Sequence, residues 1–370
     1  MTHITTILKS EHPTNEIELL CHQSKERSGI SSVLWLTTFD CNLRCSHCYT
    51  ASPRENDELS TQEAVQFIRH LEKLGIPIVF LSGGEPLMRK DIAILLQALH
   101  EAGIRTVLST NGTLITPENL QILKDTGVAY VAISLHASSA IHDELTGVPG
   151  TFDKVADSVK ALTEYGVPVC LKSAVTQKTY HEIPWVLEWG IAAGIRTFYI
   201  CDLIPAGRGC GTAQFGGSIG TQEWLTLFDK LLHYIEKEGI FIDIGAHPST
   251  VALVLSKLSA QDKQKAGDAE ARLLGKNRVC PAGKGVVALM PDGGVTPCNF
   301  MPELVLGNIR EKPVEEINKT LSEFLGDKPA KEPCHSCRWV TICGGCRAKA
   351  YYMRGDARDA DPTCLIQTKD

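Results

Sequence analysis

Cys41, Cys45 and Cys48 stand as C-N-L-R-C-S-H-C, directly after the apolar run Val33-Leu34-Trp35-Leu36. That spacing sets three thiolates at one end of a strand, within reach of a single metal cluster. A 4Fe-4S cube is normally held by four cysteine thiolates. Three leave one iron open to a further ligand. Structural thiols and a zinc site are the competing readings. Zinc sites usually pair C-x2-C with a second, distant pair, so C-x3-C-x2-C fits zinc poorly.

A second pattern follows one strand later. The run Ile78-Val79-Phe80-Leu81 ends in Ser82-Gly83-Gly84-Glu85-Pro86. Two glycines let a backbone approach a ligand closely, and Glu85 can anchor a cation. An ordinary strand-to-helix turn is the plain alternative. Further polar residues close the next strands: Ser109-Thr110-Asn111-Gly112-Thr113, then Ser134 before Leu135 and His136, then Lys172 and Ser173.

Taken together, the cysteine triplet and G-G-E-P resemble the signature of the radical S-adenosylmethionine (radical SAM) superfamily. The resemblance implies a 4Fe-4S cluster on Cys41, Cys45 and Cys48 whose open iron holds S-adenosylmethionine. It implies that Gly83, Gly84, Glu85 and Pro86 receive the amino group of the methionine moiety. His47 takes the place of an aromatic that packs near adenine. Asn111, Ser134 and Lys172 are further candidate cofactor contacts, with Ser134 at the ribose hydroxyls and Lys172 facing the methionine carboxylate.

The last quarter carries seven more cysteines: Cys280, Cys298 (in Gly293-x4-Cys298), then Cys334-x2-Cys337-x5-Cys343-x2-Cys346, then Cys364. They resemble the SPASM extension, which binds two auxiliary 4Fe-4S clusters. Carried over by order, Cys334, Cys337, Cys343 and Cys364 complete one cluster. Cys280, Cys298 and Cys346 hold the other, one ligand short. The gap Cys343-Gly344-Gly345-Cys346 is one residue shorter than usual. A pair of zinc sites is the alternative. In either case metal ligation supplies much of the folding free energy of so small a region.

Four segments look like radical SAM/SPASM enzymes of modified-tetrapyrrole synthesis. They are Asn111 to Glu118; His142-Asp143 with Thr146 to Asp153; Leu203-Ile204-Pro205-Ala206-Gly207-Arg208-Gly209; and Cys343 to Tyr351. Ser134-Leu135-His136-Ala137 departs from the S-x-D-G often found in that group. Peptide-modifying SPASM enzymes share much of this vocabulary.

The elements that must position these residues read from the hydrophobic pattern. Strands are expected at 33–38, 77–81, 105–109, 129–135, 168–174 and 196–202. Helices are expected at 61–74, 89–102, 117–126, 152–165, 181–193 and 221–238. Ser60 with Glu63 makes a capping box, and Thr116-Pro117 an N-cap with proline at the first helical position. Gly75, Gly103, Gly127, Gly166 and Gly194 sit where left-handed C-caps belong. Such alternation means a parallel sheet with right-handed crossovers. The expected fold is α/β, an open six-unit (β/α)6 partial barrel followed by a small cysteine-rich domain. Its chemistry belongs at the C-terminal strand ends. The expected division is an N-terminal extension over 1–30, the barrel over 31–240, a bridging region over 241–279 and the auxiliary-cluster domain over 280–370. The glycine-rich 205–220 stretch reads as a long irregular loop.

Composition bounds the rest. The chain has 370 residues, 43% hydrophobic and 22% charged, enough for a large core. A net charge of −6 offers no basic surface to nucleic acid. No apolar run reaches the length of a membrane span, and the N-terminus lacks an apolar signal core. Fourteen cysteines without an export signal argue for metal ligation over disulfides. A cluster of this type also wants a reducing compartment, so the expected location is the cytoplasm.

The reading is a radical SAM/SPASM enzyme. It abstracts hydrogen from a substrate carbon, on a tetrapyrrole carboxylate side chain as the leading substrate. Arg208 is the candidate carboxylate clamp, because its planar fork suits bidentate pairing. A flavodoxin or ferredoxin is the expected type of electron donor. The enzyme alternative is a maturase acting on a ribosomally made peptide. About 30 residues precede the first strand, too few for a peptide-recognition domain. The non-enzyme alternative, an iron–sulfur electron carrier or a zinc module, explains the tail but not G-G-E-P on a strand–helix scaffold.

Overall fold

The computed structural model describes residues 15–50, 57–210, 217–237, 239–274 and 279–366. After helix α1 (Asn15–Ser28), strands and helices alternate: β1 (Ser32–Leu36), α2 (Thr61–Lys73), β2 (Ile78–Ser82), α3 (Ile92–Glu101), β3 (Arg105–Thr110), α4 (Pro117–Asp125) and β4 (Tyr130–Ser134). Then follow α5 (Ser139–Thr146), α6 (Thr151–Glu164), β5 (Val169–Val175), α7 (Ile183–Ala192), β6 (Thr197–Asp202), α8 (Thr221–Ile235) and β7 (Phe241–Gly245). All six expected strands and all six expected helices are present. The capping signals work as written. Ser60 Oγ accepts from the Glu63 N–H while Glu63 accepts from the Ser60 N–H, and Thr116 Oγ1 accepts from the Asn119 N–H.

Strands β1 to β7 run parallel and in sequence order. The seventh, Phe241–Gly245, lies in the 241–279 stretch expected to bridge two parts. Further along that stretch lie α9 (Ser249–Gln261) and α10 (Lys263–Leu274). Helix α5 is also additional to the sequence expectation. The tail continues the same sheet. Strand β8 (Val286–Leu289) pairs parallel with β1, and β9 (Gly294–Thr296) and β10 (Gly307–Asn308) extend it antiparallel. An unpaired β1 edge would expose a row of backbone donors and acceptors; the β8–β9 hairpin covers it. Helix α11 (Val314–Leu325), a single helical turn α12 (Val340–Cys343) and α13 (Arg347–Arg354) complete the chain. Among the described residues no helix is long and apolar enough to cross a membrane.

Side chains alternate across a strand with period two. One face of the sheet sends Trp35, Val79, Leu81, Leu108, Val131, Ile133, Leu171, Phe198 and Ile200 into the layer shared with the helices. Trp35 meets Phe67 of α2 edge-on at 5.5 Å. The other face gathers Ile78, Phe80, Val107, Tyr130, Ala132, Cys170 and Tyr199. Two residues further along each strand this inner face turns polar, with Ser82, Ser109, Ser134, Lys172 and Cys201. The change falls at the C-terminal strand ends, where the cysteine loop also begins.

Candidate active site

The cysteine loop leaves β1 through Thr37 and Thr38 and is held from four sides. Glu58 accepts the Phe39 N–H at 2.6 Å and the Thr38 hydroxyl at 2.9 Å. The Arg44 and Ser46 N–H groups donate to the Thr146 and Leu145 carbonyls at the end of α5, at 3.0 and 2.9 Å. The backbones of Gly84 and Glu85 donate to Thr38 O and Asp40 O at 2.8 and 2.7 Å. On the remaining side Arg208 donates from Nε to Cys45 O at 2.8 Å and from its backbone N–H to Cys48 O at 2.9 Å. Arg208 is exposed beyond that contact.

Two glycines make this packing possible. A Cβ on Gly84 would lie 2.1 Å from Asp40 O, and one on Gly207 2.6 Å from Cys48 O. The close approach that G-G-E-P requires is therefore to the cysteine loop itself.

Glu85 is fully buried. Its Oε1 accepts from the Leu87 N–H at 3.1 Å and the Thr110 hydroxyl at 2.7 Å, and Oε2 accepts the Asn111 N–H at 2.7 Å. The carboxylate thus ties the end of β2 to the end of β3. Burial raises its pKa, against those donors and nearby Lys172. Asn111 joins the cysteine loop in turn, with Nδ2 donating to Asn42 Oδ1 at 2.8 Å and lying 4.0 Å from Cys41 Sγ.

Ser134 and Lys172 are direct neighbours across β4 and β5. The Lys172 ammonium donates to Ser109 Oγ, and burial lowers its pKa. His47 is half-buried in a row of three rings. It meets His136 edge-on at 4.6 Å, and His136 stacks on His142 at 5.5 Å. Burial, then neighbouring His142, lowers His47 to about 4. Cys41, Cys45, Cys48, His47, Gly83, Gly84, Glu85, Pro86, Asn111, Ser134, Lys172 and Arg208 thus lie at the C-terminal strand ends or in the loops that follow them.

The tail cysteines fall into two neighbourhoods. Burial raises the Cys343 thiol well above its ordinary value, and Cys364 and Cys334 push the same way. Burial raises Cys364 to about 11, again with Cys334 and Cys337 as neighbours. Separately, burial raises Cys298 to about 12 and Cys346 well above its ordinary value, and both feel Cys280. Asp361 accepts the Cys346 N–H at 2.7 Å.

A 4Fe-4S cluster fits these residues chemically. Burial raises Cys45 to about 12, with Cys48 and Cys41 adding like charge. Thiolates are the ligand form, and a positively charged centre is what allows buried sulfurs to ionise. Among the described residues no three His, Cys, Asp or Glu side chains close on the point a single metal ion would fill.

Several site residues were invisible to motif reading. Arg89 is buried and donates to Thr37 O at 2.8 Å, Leu59 O at 2.7 Å and Asp91 Oδ1 at 2.7 Å, locking the base of the loop. Its only sequence signal is its place three residues after G-G-E-P. Tyr49 and Asn299, each adjacent to a candidate ligand cysteine, hydrogen-bond at 3.0 Å.

Strand ends that carry a C-x3-C-x2-C loop and a G-G-E-P turn define a radical SAM protein. Residues 35–189 match the radical SAM superfamily, and residues 280–338 match the SPASM iron–sulfur cluster-binding domain. An AdoMet-dependent heme synthase of Methanosarcina barkeri is 32% identical over 348 residues, covering 90% of this chain and 96% of the relative. An Fe-coproporphyrin III synthase of the same organism is 30% identical over 365 residues, covering 94% and 90%. The chain belongs to the radical SAM superfamily and carries a SPASM domain. The fold is shared with the crystal structure of Streptococcus suis SuiB bound to S-adenosylmethionine, with TM-score 0.73, 19% identity and coverage of 93% of this chain and 80% of that one. SuiB has also been solved with its precursor peptide SuiA. This chain is accordingly an enzyme with the partial-barrel fold that the pattern implied.

Proposed function

We propose that this enzyme cleaves S-adenosylmethionine reductively and abstracts hydrogen from a carboxylate-bearing side chain of a modified tetrapyrrole. The observation that carries the reading is the binding of one cysteine loop by both the G-G-E-P turn and the Arg208 loop. It aligns the three thiols with the polar ends of β2 to β6. The tetrapyrrole class rests on relatives named for haem and iron-coproporphyrin synthesis that match nine-tenths of the chain.

Cys41, Cys45 and Cys48 hold the SAM-binding cluster. When bound, the cluster would supply one electron to S-adenosylmethionine, whose reductive cleavage would furnish the group that abstracts hydrogen from substrate. Gly83 to Pro86 receive the methionine amino group, at the buried carboxylate of Glu85. Asn111, Ser134, Lys172 and His47 line the remainder of the cofactor site. Cys334, Cys337, Cys343 and Cys364 hold one auxiliary cluster, and Cys280, Cys298 and Cys346 the other. Arg208 keeps its terminal guanidinium nitrogens for a substrate carboxylate, because its backbone and Nε already face the cysteine loop. A flavodoxin- or ferredoxin-type protein supplies electrons.

Anaerobically reconstituted protein with dithionite should convert S-adenosylmethionine to 5′-deoxyadenosine. The rate should rise when an iron tetrapyrrole with carboxylate side chains is added. The Cys41/Cys45/Cys48→Ala variant should make none. Arg208→Ala should weaken tetrapyrrole binding by about two to three orders of magnitude, the scale of losing one partner of a charge pair that the bound ring would bury over this exposed side chain. Deoxyadenosine from the triple variant would overturn the cluster assignment. Wild-type protein that binds no tetrapyrrole would overturn the substrate class.

A further inference from the structure

Tyr49 follows Cys48 directly, and Asn299 follows Cys298 directly. Their side chains meet: Asn299 Nδ2 donates to Tyr49 Oη at 3.0 Å. Asn299 Oδ1 lies 3.7 Å from Cys298 Sγ. Phe300 meets the Tyr49 ring edge-on at 4.7 Å. Half-buried Tyr49 packs against two apolar clusters, one that includes Ile204, Ala206 and Met301 and one of Leu36, Ala288 and Met290, and its hydroxyl also hydrogen-bonds to Ser82.

Two cysteines that the proposed function gives to different clusters are therefore joined by a short run of bonds. It passes through one peptide link, one aromatic side chain, one hydrogen bond, one amide side chain and a second peptide link. Electrons tunnel better along bonds than across a gap, and best in a rigid, dry setting. The buried Asp202–Lys349 pair also bridges the two halves, but it starts on β6 and ends three residues past Cys346. It does not touch the cysteine loop.

We propose that the Tyr49–Asn299 hydrogen bond is the electron-transfer contact between the Cys41/Cys45/Cys48 cluster and the cluster on Cys280, Cys298 and Cys346. This rests on the cluster assignment of the proposed function. The step is a one-electron exchange. The auxiliary cluster is oxidised by one electron, the SAM-binding cluster is reduced by one, and no proton moves. The electron comes from the substrate radical or from the one-electron donor protein.

The test uses the full chain, reconstituted anaerobically and given a single reducing equivalent by a photoreduced flavin. Samples frozen at intervals are read by electron paramagnetic resonance. The signal that S-adenosylmethionine perturbs belongs to the Cys41/Cys45/Cys48 cluster. In Tyr49→Phe, which keeps the ring, iron content, spectra and final electron distribution should match wild type. That distribution should be reached on the order of tenfold more slowly. Asn299→Leu should slow it similarly, and the double variant no further. Phe300→Leu, which leaves the hydrogen bond in place, should exchange at the wild-type rate. Wild-type exchange in Tyr49→Phe overturns the contact alone. A wild-type chain in which every signal responds to S-adenosylmethionine overturns the assignment of a separate auxiliary cluster, a distinct failure that removes the contact as well.

Discussion

Lys349 buries its ammonium against the carboxylate of Asp202, and the two side chains are only 1% and 2% exposed. Asp202 ends β6 of the barrel, and Lys349 lies on α13 of the cysteine-rich tail. The same ammonium donates to Thr363 Oγ1 at 2.9 Å and lies 3.3 Å from His247 Nδ1. One charge pair thus fixes the tail to the barrel beside Cys346.

Breaking that pair should be costly, because the abandoned charge stays buried. Lys349→Met should destabilise the protein by about 3–5 kcal/mol. Adding Asp202→Leu should recover much of the loss, since an apolar pair of similar volume replaces both charges. Thermal unfolding of the two variants decides the matter. A single variant at least as stable as the double would show that the charge pair is not what holds the junction.

Glu85 gives a second prediction. Its two oxygens accept from Leu87, Thr110 and Asn111. In Glu85→Gln one oxygen becomes an amide that can only donate, and it must face a donor. Burial raises the carboxyl pKa, so a neutral side chain recovers some desolvation cost. The unsatisfied donors should still dominate, at about 1–3 kcal/mol of lost stability. S-adenosylmethionine should also bind more weakly to this variant. A Glu85→Gln protein more stable than wild type would refute the assignment of Glu85 as a structural tie.

The motifs were legible because their chemistry is local in sequence. Three cysteines within eight positions, and G-G-E-P at one strand end, need no knowledge of distant partners. The attachment of the tail was not legible. The contact of Ser31 with Gly285 joins residues 254 apart, and nothing in Val286-Val287-Ala288-Leu289 says that it covers the edge of β1. Strand β7 was missed because Phe241-Ile242-Asp243-Ile244-Gly245 is short and carries an acid in its middle. Gly84 was read as making room for a ligand, whereas its Cβ would strike Asp40 O. Lys349 in R-A-K-A-Y reads as a surface base and is buried only because Asp202 waits at the end of another strand.

His142 should make the fold acid-sensitive. Burial lowers it to about 4, and its Nδ1 accepts the His136 N–H at 3.3 Å, which a protonated nitrogen cannot do. The unfolded chain then binds more protons than the folded one between roughly pH 6.5 and 4, so stability falls as pH drops through that window. From pH 7 to 5.5 this ring should remove about 1 kcal/mol. His142→Phe should unfold with a smaller shift in midpoint over the same interval. An unchanged shift would exclude His142 as its source.

The tail offers the last test. Cys364 shares a neighbourhood with Cys334, Cys337 and Cys343, whereas Cys280, Cys298 and Cys346 form another. Three 4Fe-4S clusters would give roughly a dozen irons per chain. Cys364→Ala should lower iron by about a third and destabilise the C-terminal region, since ligation there is coupled to folding. The Cys41/Cys45/Cys48 cluster should still form, because its loop is held by Glu58, Glu85, Arg208 and the end of α5, none of which touches Cys364. S-adenosylmethionine should therefore still perturb that cluster's spectrum in the variant. Loss of all iron from Cys364→Ala would show that barrel and tail load their clusters as one cooperative unit. Zinc in place of iron after anaerobic preparation would overturn the tail assignment.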